Sequence, residues 1–218
     1  MEFLLEYIAN ADPRFHALID TGALITGYSN EEVARYLLDK GLKWYVSSFS
    51  TNFSFFADYY NKKCSSLQNS IFRCDGVVFL DEDDKQQVLV RATGRVVSAD
   101  QCGVSLEKRF AFYDQIHTTG MDIKHVVNAT AVITLGKDMV FRDYVQGAYR
   151  MRQIGQGQKI CVFIIPEVRE LMQRELKQCI IPELAFKADH VLEDVVAWLV
   201  VNSLRSEQTQ WTMLCLQV

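Results

Sequence analysis

Three observations predict an α/β fold with a mostly parallel sheet. Short apolar runs alternate with segments of helical period, the order expected when crossover helices join parallel strands. Three of those runs, at 110–115, 130–135 and 159–165, are almost uninterrupted hydrophobic stretches, as strands buried on both faces should be. The 218 residues, 49% of them hydrophobic, suffice for one sizeable core, and three prolines leave little room for a disordered linker.

Taken in order, "FHALIDTGALI" reads as a short apolar strand ending in a turn. "SNEEVARYLLDKG" follows with the signals of a helix: Ser29 or Asn30 caps it, acids fill the first turn, Val33, Tyr36 and Leu37 share a face, and Gly41 stops it. Residues 43–74 are rich in aromatics and serine without a clean period, an irregular insertion or a short helix pair that covers a core edge or docks a partner. "GVVFLDEDDKQQVLVRATG" predicts strand, acidic turn and strand, a hairpin. "RFAFYDQ" is a strand, "IHTTGMDIK" a loop and "ATAVITLG" a strand. "KDMVFRDYVQGAYRMRQIG" predicts one helix ending at Gly155, and "KICVFIIP" a strand stopped by Pro166. "EVRELMQRELKQC" is an amphipathic helix, and "ADHVLEDVVAWLVVNSLRSEQ" another, largely buried. The organisation expected is one α/β domain over 1–178 with its insertion at 43–74, then a C-terminal helical segment over 179–218. The apolar ending "WTMLCLQV" suggests a truncated piece.

Composition narrows the function. A formal net charge of −4 argues against a general nucleic-acid coat, which would be basic overall. The six cysteines form no C-x-x-C pair, so no metal site is expected, and their sparseness fits reduced thiols. The N-terminus has acids and no basic region before its apolar residues, unlike a signal peptide. "VLEDVVAWLVV" is too short and acidic to span a bilayer. The expectation is a soluble cytoplasmic or nuclear protein with no membrane partner.

Two local motifs invite chemistry. "ALIDTGA" (Ala17 to Ala23) resembles the Asp-Thr-Gly turn of retroviral-type aspartic proteases, but there another strand follows, and here a helix does. Asp20 is therefore expected as a strand-end turn residue, and a minor site candidate because such turns line ligand crevices in α/β sheets. The second motif spans 110–165. A strand leads to a Gly120-x-Asp122 loop, a second strand follows, and a helix then presents Arg142, Gln146 and Arg150 at i, i+4 and i+8, on one face. Arginines suit a site where phosphoryl charge develops, because a guanidinium binds such oxygens bidentately.

This order resembles the last two motifs of the second RecA-like domain in superfamily 2 helicases and translocase ATPases. The resemblance implies a RecA-like sheet, with Gly120, Asp122 and Arg142 lining a nucleotide crevice and Gln146, Arg150 and Arg152 acting on the phosphates. The family's final arginine falls on Gln153, and Arg152 is the nearest guanidinium, one residue early. No Gly-x-x-x-x-Gly-Lys-Ser/Thr loop occurs. ATP or another NTP would then be held by a separate first RecA-like domain, expected on a missing N-terminal part of the parent protein or on a partner.

Five blocks together, from "LIDTGALITGYSNEEVARYLL" through "FYDQIHTTGMDIK" and "AYRMRQIGQGQ" to "AWLVVNSLRSEQ", resemble the C-terminal part of very large eukaryotic proteins labelled ubiquitin thioesterase-like, or ubiquitinyl hydrolase of the cysteine type. That label implies a thiol site and ubiquitin as partner; nucleic acid is the other partner in view. A cysteine hydrolase needs a thiolate, a histidine in reach and a group to orient it. Cys102 and His117 are the candidates, with Asp114, Gln115 and Asp122 nearby in sequence. The strand between them spans roughly 20 Å, so they meet only if the chain doubles back over 103–109. A non-catalytic interaction domain, using the aromatic insertion, is the third class.

Overall fold

The apolar runs form strands and the periodic segments form helices. Their order is α1 (Glu2–Ala9), β1 (Ala17–Ile19), α2 (Asn30–Lys40), β2 (Gly76–Leu80), β3 (Gln86–Val90), β4 (Val96–Ser98), β5 (Arg109–Tyr113), β6 (Thr130–Thr134), α3 (Phe141–Ala148), β7 (Lys159–Phe163), α4 (Pro166–Cys179) and α5 (Val191–Leu216). The computed structural model describes residues 2–42, 74–179 and 190–217. The expected insertion therefore lies outside the described residues, apart from Cys74. The strands form one mixed seven-stranded sheet in the order β4-β3-β2-β5-β1-β6-β7. It is mostly parallel, with antiparallel pairing at β2–β3 and β3–β4.

The chain divides into two compact units. The first comprises Met1–His16 and Tyr28–Phe112. Here Ser29 caps α2 by accepting from the Glu32 backbone, and Glu32 reaches back to the Ser29 N–H at 2.8 Å. Such a capping box is worth about 1 kcal/mol. Val33, Ala34, Leu37 and Leu38 form the buried face of α2, and α1 packs there with Leu4, Leu5 and Ile8. All five residues of β2 are buried, as a central strand requires. The expected hairpin is present, with Val78 opposite Val88, and Asp81 holds its turn by accepting from the backbone of Asp83 and Lys85. At the other end of α2, the Arg91 guanidinium donates to the carbonyls of Leu38, Gly41 and Cys74 at 2.7–2.9 Å. It thus satisfies acceptors that a helix C-terminus leaves open.

The second unit comprises Ala17–Gly27 and Tyr113–Val218. Strand β6 lies parallel to β1 on one side and to β7 on the other, with Val132 opposite both Leu18 and Cys161. Trp198 on α5 is fully buried, and its indole N–H donates to Glu175 of α4 at 2.9 Å; Arg205 pairs with the same carboxylate.

Three expectations need correction. The helix after β6 ends at Ala148 and does not continue to Gly155. Residues 149–158 fold instead into turns, because the Gln158 side chain accepts from the Gln153 N–H and donates to the Val126 carbonyl. Strand β7 is half-buried, with Lys159 exposed, because among the described residues it ends the sheet and has no second strand neighbour; Cys161 is correspondingly half-buried. Helix α5 is mostly exposed: only Val195, Trp198 and Leu199 are buried, on the face that meets α3 and α4.

Candidate functional site

The geometry that gathers charge lies on the loop after β5. Gly120 takes a positive φ of 84°, a conformation that favours glycine, and this sets the turn that carries Asp122. The loop is tied back to its own strand. The Tyr113 hydroxyl accepts from the Ile123 N–H at 2.9 Å and lies 3.1 Å from His125 Nε2. Burial raises the Tyr113 pKa and pushes that of His125 down to about 4, so the imidazole is neutral at physiological pH. Neither residue stood out in the sequence. The signal was only a tyrosine ending an apolar strand and a histidine three positions after the Gly-x-Asp aspartate.

Asp122 collects two guanidiniums. Its Oδ1 accepts from Arg150 at 2.9 Å, and the same Arg150 nitrogen donates to the Met121 carbonyl at 2.6 Å. Its Oδ2 accepts two bonds from Arg152, at 2.9 and 2.6 Å. The two arginines differ sharply. Arg150 is buried, and its Nε has no hydrogen-bond partner among the described residues. Arg152 is half-exposed, with its guanidinium 5.3 Å from the centre of the exposed Tyr149 ring. Cation–π attraction adds to the ion pair there.

Arg142 and Gln146 go elsewhere. Since α3 ends at Ala148, Arg150 does not continue their helical face. Both line an open groove of about 400 Å³ between α3 and α5, with Phe141, Val145, Val200, Leu204 and Glu207. Gly120, Asp122, Arg150 and Arg152 are thus brought together, and Arg142 and Gln146 form a separate pair.

Asp20 is a structural carboxylate. It is buried and accepts from the Leu24 and Ile25 N–H groups at 3.0 and 2.8 Å and from the Thr134 hydroxyl at 2.7 Å. Thr134 Oγ1 in turn accepts from the Gly22 N–H. Burial raises the Asp20 pKa, the three bonds working against it. The carboxyl ends of β1 and β6 meet backbone to backbone: a Cβ at Gly22 would lie 2.5 Å from the Gly136 nitrogen. The crevice such strand ends often provide for ligands is closed between these two.

Of the thiol candidates, Cys102 is half-buried in the first unit, where its carbonyl accepts from Arg109. His117 is buried in the second unit, and its Nδ1 bonds the Asp114 carboxylate. Among the described residues, no group of His, Cys, Asp and Glu could hold a metal ion, and no helix is long and apolar enough to cross a membrane. No family model, curated protein or solved structure matches the chain.

Proposed function

We propose that this chain is the second RecA-like half of a helicase-like ATPase module, in a large protein of the ubiquitin thioesterase-like kind. It would supply arginines to a nucleotide held by another domain. The observation that carries the reading is the convergence of Arg150 and Arg152 on Asp122 of the Gly-x-Asp loop. The mostly parallel sheet is consistent with it, and the Gly22 turn after β1 is packed against Gly136 rather than open as a phosphate cradle. Arg152, half-exposed and paired with Asp122, would be the guanidinium that meets a phosphoryl group, with Arg150 as its buried support. The test is ATP hydrolysis by a polypeptide carrying this domain together with a phosphate-loop domain. Arg152→Ala should lower kcat roughly a thousand-fold, and Arg152→Lys should restore little of it. An unchanged rate sinks the assignment.

One observation favours a second reading, a thiol-dependent ubiquitinyl hydrolase. Asp114 holds His117 as the orienting carboxylate of a cysteine hydrolase would. Covalent labelling of Cys102 by an electrophilic ubiquitin probe, lost in Cys102→Ala, would support it. Absence of labelling in folded protein would count against Cys102 as the nucleophile.

A further inference from the structure

We infer that Asp122 is a latch: it holds Arg152 in a resting position by its Nε–Nη2 edge, and a polyphosphate must displace it to grip that edge. The inference rests on the proposed function for the identity of the anion, not for the contact itself. Three features of the geometry lead to it.

First, Asp122 spends both oxygens on guanidiniums: Oδ1 accepts from Arg150, and Oδ2 accepts from both Nε and Nη2 of Arg152. The carboxylate occupies the Nε–Nη2 edge of Arg152, one of the two forks by which a guanidinium grips a phosphate. Second, the two arginines are anchored unequally. Arg150 is buried and also bonds the Met121 carbonyl, so it stays with the loop. Arg152 is half-exposed and held only by Asp122 and the face of Tyr149 among the contacts described above. One guanidinium is therefore fixed and the other can swing. Third, Asp122 does not depend on Arg152 for its place. Gly120, the Ile123–Tyr113 bond and Arg150 hold the loop on either side of it. When Arg152 leaves, Asp122 keeps Arg150 and its charge remains half neutralised, which lowers the barrier to exchange.

The latch is weak by construction. Exposed ion pairs of this kind hold by roughly two- to five-fold in equilibrium terms, which an incoming triphosphate with several charges exceeds.

The test is isothermal titration of this chain with inorganic tripolyphosphate. Asp122→Asn should bind it about two- to five-fold more tightly than the wild type, and the gain should vanish in Asp122→Asn with Arg152→Ala. Asp138→Asn is the charge control: it removes one negative charge from a residue paired with Lys137, and should change affinity less. Tyr149→Leu, at an exposed position, should shift affinity in the same direction as Asp122→Asn, and it serves if loss of Asp122 unfolds the chain. Weaker or unchanged binding in Asp122→Asn and Tyr149→Leu overturns the latch, as does no measurable binding by any variant at millimolar probe. Tighter binding that persists without Arg152 also overturns it. If the latch holds while Arg152→Ala leaves ATP hydrolysis unchanged in the complete module, the anion site stands and its assignment to a nucleotide falls.

Discussion

Replacing Asp20 with Ala tests whether the Asp-Thr-Gly turn is architecture. The carboxylate accepts three hydrogen bonds, from Leu24, Ile25 and Thr134, and the substitution strands all three donors. Each bond is worth about 1 kcal/mol net, and a buried donor left without an acceptor costs about 1–3 kcal/mol. Against this, removing a buried charge returns part of its desolvation cost. The balance is a loss of about 3 kcal/mol. Asp20→Asn keeps one acceptor oxygen and no charge, so it should lose less. Equilibrium urea unfolding at pH 7, followed by tryptophan fluorescence, to which the buried Trp198 contributes, reads the difference. With a slope of about 3 kcal/mol per molar urea for a chain of this size, the Asp20→Ala midpoint should fall by about 1 M. The pH dependence has a sign of its own. An acid whose pKa rises on folding binds its proton more tightly in the native state, so its contribution falls as pH rises above the ordinary value of 3.8 and levels off beyond the raised one. Asp20→Asn should remove that slope. A midpoint shift below about 0.3 M in Asp20→Ala would refute the structural assignment and return Asp20 to the list of site candidates.

Two further outcomes follow from the same geometry. His125 is neutral in the fold, with its pKa near 4, while the unfolded chain binds that proton near 6.5, so stability should fall as pH drops from 6.5 to 4 by up to about 3 kcal/mol. Urea unfolding across that range should show the slope, reduced in His125→Gln; an equal slope in both would remove His125 as its source. Gly22→Ala drives a Cβ to within 2.5 Å of the Gly136 nitrogen and the Leu135 carbonyl carbon, and should cost about 2–3 kcal/mol, whereas Gly103→Ala meets nothing within 4 Å and should stay within about 0.5 kcal/mol of wild type. Similar melting temperatures for the two variants would contradict the close approach.

Local sequence determined the elements, because their causes are local. Ser29 and Glu32 close a capping box three residues apart, Pro166 opens α4 where the preceding strand has stopped, and the apolar runs of β5 and β6 read as strands buried on both faces. The Gly-x-Asp loop and its two arginines were legible as candidates for the same reason: residue type and order along the chain. What belongs to long-range contacts was not legible. Helical spacing put Arg150 in line with Arg142 and Gln146, but Gln158, bonded to Gln153 and Val126, ends the helix early and turns Arg150 towards Asp122. An apolar period in α5 cannot say how much of its length finds a partner, and an apolar run cannot say that β7 lies at an edge. Tyr113 and His125 became relevant only once the chain folded back from β5 and set the Tyr113 hydroxyl against the backbone of Ile123 and the His125 ring. Spacing encodes which residues share a face of one element. Only packing decides what that face meets, because contact energies depend on neighbours brought together from distant positions in the chain.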